Sequence, residues 1–432
     1  GDLSDYLAAG HWKADLLALV KATPIWTPPE AVIESSPDAF RELGEQRYAF
    51  TLQAGIVFEL DRIRRSSHEL WGELLVRVNG SHVAARTFDH GILQAGDLNL
   101  SSVQARQTRA KLLKERSGDS ETDWYGGLEE FTLRVIAAER SGSPDVNLRD
   151  VSPPGPDRMI VFDGVELPVK HPTLIFGDGG SAKSYLALYW AGRMTDMGIP
   201  VLYIDWEWTK EEHRERLERL FGPVFPPVRH LEVYRSLQHE RDRILAAIRV
   251  RGIQYLIFDS VALACGGDPS GSEACTTYWQ TVRQFKVGSL HIAHVTKGMN
   301  GKADDQKPFG SAFWHNMARL TYNIKGDPDG EEAINVGVYS RKSQWGKRKD
   351  LGLRVAFGPH RTTITPIDLG SVAQLAEGLP IRERIAKAVG EDSKTRKELA
   401  ELLDLDVGVV TRVIHRELTR GTLLEFPGKK GQ

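Results

Sequence analysis

The chain has 432 residues, 41% hydrophobic and 26% charged, with 56 Lys and Arg against 58 Asp and Glu for a net charge of −2. That length exceeds what one core organises, so two or three domains are expected, and the charge balance excludes a wholesale basic surface: nucleic-acid contacts have to come from local patches. No window reaches the ~18 uninterrupted apolar residues of a membrane span, no signal peptide opens the chain, and the two cysteines, Cys265 and Cys275, fit no zinc spacing, so a cytoplasmic protein in reducing surroundings is expected.

Residues 1–27 read as a short helical pair that ends before Pro28-Pro29. From about 47 to 100, segments such as "YAFTLQAGIVFELDRIRR" and "GELLVRVNG" alternate β-formers with polar residues, and Asn79-Gly80 signals a turn. Two helices follow, "LSSVQARQTRAKLLKERSG" and "TDWYGGLEEFTLRVIAAERSG", each with Ser or Thr where an N-cap belongs and Gly at its end. Residues 31–150 are thus expected to form a small α+β domain without catalytic residues, closed by the proline-rich linker "VSPPGPD" at 151–157. Over 158–368 the apolar runs "TLIFG", "VLYID", "YLIFD" and "LHIAHV" alternate with helical or loop segments, which predicts an α/β domain with a largely parallel sheet. Residues 380–432 read as three helices and a short "TLLEFPGKKG" hairpin, the outline of a winged helix-turn-helix.

The chemistry begins at "LIFGDGGSAKS". Gly177, Asp178, Gly179, Gly180, Ser181, Ala182, Lys183 and Ser184 fit the P-loop template, with Ala182 where the last glycine stands. Small residues let backbone N–H groups turn toward phosphate oxygens, and the following helix adds its positive end. Lys183 then reaches the β- and γ-phosphates of ATP while the Ser184 hydroxyl ligates Mg²⁺; the Ala182 methyl is expected to add some crowding. Asp259 at the tip of "YLIFD" is the second candidate Mg²⁺ ligand. Ser260 follows it, so the general base has to come from elsewhere, and Glu207 of "VLYIDWEW" is the first choice with Asp205 as substitute. His294 at the tip of "LHIAHV" is placed to sense the γ-phosphate. Arg319, then Lys342, then Arg341 are candidates for a finger that a neighbouring subunit inserts.

The motifs "GDGGSAKS", "LYIDWE", "LIFDS", "HIAHVTK" and "PFGSAFWHNMAR", in this order, resemble the RecA-type ATPase core of RepA-like hexameric replicative helicases. The resemblance covers 158–368. It implies a RecA-like fold, a homo-hexameric ring with ATP between subunits, nucleotide contact at Gly177, Gly180, Lys183 and Ser184, metal coordination at Asp259, the base at Glu207, the sensor at His294 and the finger at Arg319. Gln344 departs from the arginine that DnaB-like helicases carry in the late strand, and so argues for Arg319. A shorter resemblance joins residues 1–27 to the segment that follows a Toprim domain in primases and primase–helicases. For a chain opening on Gly1, it implies either an upstream primase module or descent from such a fusion, and a primase as partner.

Two polar, Gly-rich segments after core strands are candidate contacts for single-stranded DNA: "ACGGDPSGSEACTT" at 264–277, and the loop bearing Lys297, Lys302 and Lys307. The third C-terminal helix presents Arg412, His415, Arg416 and Arg420, with Lys429 and Lys430 near the wing, to duplex DNA or to a protein partner. The expected function is an ATP-dependent DNA helicase or translocase of a phage or mobile-element replication system. The alternatives are a DNA-binding ATPase switch, such as a helicase loader or recombination mediator, and a winged-helix regulator with a vestigial ATP site.

Overall fold

The computed structural model describes residues 39–424 except 45, 54, 67, 79–86, 89–90, 143–144, 296–311 and 391–393. The helical pair expected over 1–27, the Asn79-Gly80 turn and most of the expected wing lie outside the described residues. The chain divides between Val146 and Asn147 into two compact units.

In the first unit β1 (Phe40–Gly44), β2 (Arg47–Gln53), β3 (Ile56–Arg65), β4 (Leu70–Val78) and β5 (Ile92–Asn99) form an antiparallel sheet in sequence order. Every second residue of β4 is buried, the period-2 signature of a sheet with one face on a core. That core takes Phe50, Phe58 and Leu74 from the strands and Leu113, Trp124 and Phe131 from α1 (Val103–Ser117) and α2 (Trp124–Ser141). Ser102 caps α1, its hydroxyl accepting from the Ala105 N–H, and Gly118 closes it in the left-handed region. The cap of α2 is Asp123 rather than the expected Thr122. The Asp123 carboxylate accepts from the Gly126 N–H, while the Thr122 hydroxyl is spent on Asp119 in the preceding turn.

The second unit opens with a two-stranded ribbon, β6 (Met159–Phe162) and β7 (Val165–Pro168). There follow, in chain order, β8 (Pro172–Gly177), α3 (Lys183–Asp196), β9 (Val201–Asp205), α4 (Lys210–Phe221), β10 (Arg229–Glu232), α5 (Leu237–Arg251), β11 (Tyr255–Asp259), α6 (Val261–Ala264), α7 (Ser272–Gln284) and β12 (Gly288–His294). Beyond the undescribed 296–311 come α8 (Phe313–Met317), β13 (Leu320–Pro328), β14 (Ala333–Ser343), β15 (Leu351–Phe357) and β16 (Thr362–Ile367). The nine strands form one sheet in the order β10-β9-β11-β12-β8-β13-β14-β15-β16, parallel from β10 to β13 and antiparallel beyond. β9 and β11 are buried at every position, which explains why they read as continuous apolar runs. Alternate residues feed two cores: Ile175 and Tyr203 join Trp190 on one face, while Leu174 and Phe258 join Trp279 and Trp314 on the other.

Half of the segment expected to be a polar loop after Asp259 is helix. From Ser272 the chain enters α7, which buries Cys275, Tyr278, Trp279 and Val282 at helical spacing, and the Trp314 indole N–H donates to the Pro269 carbonyl (2.9 Å). The loop is therefore limited to Cys265–Gly271, because the apolar stripe beyond it overrides the local Gly and Ser content.

After the short α9 (Ala373–Ala376), α10 (Ile381–Val389), α11 (Arg396–Leu403) and α12 (Val407–Thr419) pack around Ile385, Leu399, Val410 and Ile414. Thr395 and Glu398 form a capping box on α11, Asp404 turns the chain with φ 48°, and Asp406 caps α12 through the Gly408 and Val409 N–H groups.

Candidate functional site

β8 ends at Gly177 in the middle of the sheet. A Cβ there would lie 2.1 Å from the Ile324 carbonyl oxygen on β13, so only glycine fits. The loop that follows is closed by Ser181, whose hydroxyl donates to the Asp178 carbonyl (2.8 Å). Ala182 takes φ 62° and ψ 19°, the left-handed conformation that the template's glycine adopts without strain, and α3 begins at Lys183. The Lys183 ammonium turns back into the loop and donates to the carbonyls of Gly177 (2.9 Å) and Asp178 (2.7 Å). Burial lowers its pKa to about 8, against the opposing pull of Asp259, Asp178 and Glu207.

Two carboxylates end neighbouring strands, Asp205 on β9 directly beside Asp259 on β11. Asp259 accepts hydrogen bonds from the Tyr203 hydroxyl (2.8 Å) and the Ser184 hydroxyl. Burial first, and Asp205 second, nevertheless raise its pKa to about 6. A buried carboxylate with so little compensation, next to the Ser184 hydroxyl, is a hard-oxygen donor pair that fits Mg²⁺. The Asp259–Ser260 peptide is cis.

Asp205 has a different job from the substitute base that its position in the sequence invites. It is fully buried; Oδ1 accepts from the Glu207 N–H (2.6 Å) and the Trp208 N–H (2.8 Å), and Oδ2 meets His213 Nε2 at 2.6 Å. With both oxygens engaged, it holds the loop that presents Glu207. The Glu207 side chain is exposed and accepts from the Ser260 hydroxyl (2.7 Å), which fixes it next to Asp259. Trp208 is held from the other side by the Arg216 guanidinium, 3.8 Å over its ring. His294 ends β12 opposite Gly177. Burial lowers its pKa and the charge of Lys183 lowers it further, with Glu207 pulling upward. The structure thus brings Lys183, Ser184, Glu207, Asp259 and His294 together at the carboxyl ends of β8, β9, β11 and β12.

Arg319 and Lys342 are elsewhere. The Arg319 N–H donates to the Pro172 carbonyl at the start of β8, and Lys342 pairs with Thr321 at the start of β13. From Pro172 to Gly177 is five residue steps, roughly 16 Å of strand, farther than an arginine side chain extends. The Lys342 ammonium donates to the carbonyls of His315 (3.1 Å), Asn316 (2.7 Å) and Ala318 (2.7 Å), capping the end of α8. Burial lowers its pKa, and so does the nearby charge of Arg319. The Arg341 guanidinium lies over the Tyr339 ring.

Of the candidate DNA contacts, Lys297, Lys302 and Lys307 lie outside the described residues, as do Lys429 and Lys430. Arg412, His415, Arg416 and Arg420 line one concave face of α12 with Thr411 and Thr419. Arg420 is partly neutralised there by Glu417 at 3.1 Å. The sequence reading missed Tyr203, His213 and Ser260 as supports. Tyr203 is two residues before Asp205 on the same strand face, and His213 four residues after the N-cap Thr209; period-2 and helical spacing are the signals that point to them.

Residues 137–300 match the AAA domain family. Among solved structures, the KaiC-like protein PH0186 from the hyperthermophilic archaeon Pyrococcus horikoshii OT3 is similar over 46% of this chain and 91% of its own, at 13% identity and a TM-score of 0.37. A second solved structure, again of an ATPase domain, is similar over 46% of this chain and 85% of its own, at 13% identity and a TM-score of 0.38. Comparison with curated proteins finds no match. The family match and the P-loop geometry identify an ATPase domain, and its central, largely parallel sheet agrees with a RecA-like core. Among the described residues no helix is long and apolar enough to cross a membrane.

Proposed function

We propose that the protein is an ATP-driven DNA translocase, acting as a helicase in the replication of a phage or mobile element. The observation that carries this reading is the convergence of Lys183, Ser184, Glu207, Asp259 and His294 at one end of the sheet, with Arg319 and Lys342 at the other. ATP lies with its phosphates on the N–H groups of residues 178–184, where Lys183 exchanges its loop carbonyls for β- and γ-oxygens. Ser184 and Asp259 hold Mg²⁺, which neutralises charge on those oxygens. Glu207, steadied by Ser260 and by the Asp205-bound backbone, accepts a proton from the attacking water. His294, already electrostatically coupled to Lys183 and Glu207, registers the loss of the γ-phosphate.

Because Arg319 is too far from its own P-loop, its role in stabilising the transition state is toward a neighbouring subunit, in a homo-oligomeric ring of six. Single-stranded DNA runs along loops after the core strands, including the one with Lys297, Lys302 and Lys307, and the basic face of α12 (Arg412, Arg416, Arg420) contacts duplex DNA.

The test is ATP hydrolysis with and without single-stranded DNA, followed by unwinding of a forked duplex. Wild-type turnover is expected to rise with DNA and to be abolished by Lys183→Ala; persistence of stimulated turnover in that variant refutes the site. ATP-dependent assembly without strand separation instead identifies a loader or recombination switch.

A further inference from the structure

Three side chains with no part in the nucleotide chemistry meet at the outer end of the parallel half of the sheet. Asp205 ends β9, His230 lies on the edge strand β10 beside Tyr203, and His213 occupies the first turns of α4. One ligand atom from each lies within 4.8 Å of the other two. Asp205 is 0% and His213 2% exposed, and His230 is half-buried. The two imidazole rings come within 4.9 Å between centroids, and the Tyr203 ring packs on His213 at 4.7 Å.

Hydrogen bonding leaves this cluster unfinished. His213 Nε2 faces the carboxylate, while His213 Nδ1 and His230 Nε2 are buried without a partner. Buried ring nitrogens are ordinarily paired, since each carries a desolvation penalty otherwise. Burial, and His213 after it, push the His230 pKa below the ordinary imidazole value, which favours the neutral ring that a metal needs. Glu211 and Glu232 add negative charge toward the same ring.

The geometry points to a binding site for a divalent transition metal of the zinc class, with His213, His230 and Asp205 as its three protein ligands. Two imidazoles and one carboxylate, from three elements, suit Zn²⁺ with water as the fourth ligand and are a poor set for Mg²⁺, which prefers oxygen donors. The ion takes the place of the proton between Asp205 Oδ2 and His213 Nε2. Asp205 Oδ1 continues to hold the N–H groups of Glu207 and Trp208, so the ion ties the Glu207 loop to β10 and α4. Metal binding itself stands apart from the ATPase reading; only the consequence for Glu207 rests on it.

The experiment uses the full chain, stripped with a chelator, without nucleotide, and dialysed against Zn²⁺ alone; Co²⁺ replaces it for absorption spectroscopy. The expected result is one Zn²⁺ per chain, an affinity more than about tenfold lower in His230→Gln, unchanged binding in Ser184→Ala, and visible Co²⁺ bands that His230→Gln removes. His230 is chosen because its half-buried edge position tolerates exchange better than His213, and thermal unfolding in chelator, equal for variant and wild type, verifies the fold. No Zn²⁺ uptake, or uptake that His230→Gln leaves intact, overturns the site. Loss of the ion in Ser184→Ala assigns it to the P-loop and overturns the site equally.

Discussion

Ala182 shows how one methyl can be mislocated by sequence reasoning. Its cost is set by the backbone rather than by crowding of the phosphate, since φ 62° is where an L-residue sits about 1–2 kcal/mol above its right-handed form. Ala182→Gly is expected to raise the unfolding free energy by about 1 kcal/mol in denaturant titration and to leave ATP turnover intact. Glu207→Gln is expected to retain nucleotide binding while turnover falls by roughly 10²–10⁴, readable as a kcat loss with little change in KM. Asp259 and Lys183 set a pH window. The Asp259 carboxyl, at about 6, has been raised above the ordinary carboxylate value, so its ionisation opposes folding and stability declines as pH climbs toward about 6. Mg²⁺ needs the ionised form, so Mg²⁺-nucleotide affinity strengthens as pH rises through that value. Lys183, lowered to about 8, loses its proton above it, and affinity for the triphosphate weakens there. Calorimetry is expected to give a maximum between the two, with the acid limb flattened in Asp259→Asn; a level wild-type profile contradicts the assignment.

At the scale of elements, the strands of the second unit were the most legible part. Runs such as "VLYID" and "YLIFD" are buried on both faces and bounded by helices, so their pattern leaves few alternatives. The P-loop was equally legible, because glycine at 177 and the strand-to-helix transition are both imposed by close packing. What stayed hidden depends on contacts between distant segments. Asp205 as the anchor of the Glu207 loop requires β9 and α4 to be placed together, and Lys342 as a cap on α8 requires a pairing across β13 and β14. The 264–277 segment was misread because Gly and Ser content is local, while the Tyr278–Trp279–Val282 stripe acts through tertiary burial. In the C-terminal helices, Arg412→Ala and Arg416→Ala are each expected to weaken duplex binding uniformly across sequences and to reduce the salt slope by about 1. Arg420→Ala is expected to do less, given its Glu417 partner. Fluorescence anisotropy across a salt series distinguishes the three.

For the whole molecule, the decisive feature is that the phosphate loop and Arg319 occupy opposite ends of the same central strands. A chain of this design carries a socket on one face and a plug on the other, so association runs head to tail and never face to face. Lys183→Ala chains still bring an intact plug, and Arg319→Ala chains an intact socket. Each is expected to be silent alone, and a mixture of the two to recover measurable ATP turnover. An open stack of subunits would always strand one empty socket at its first member and one unused plug at its last; closure into a circle is the arrangement that wastes neither.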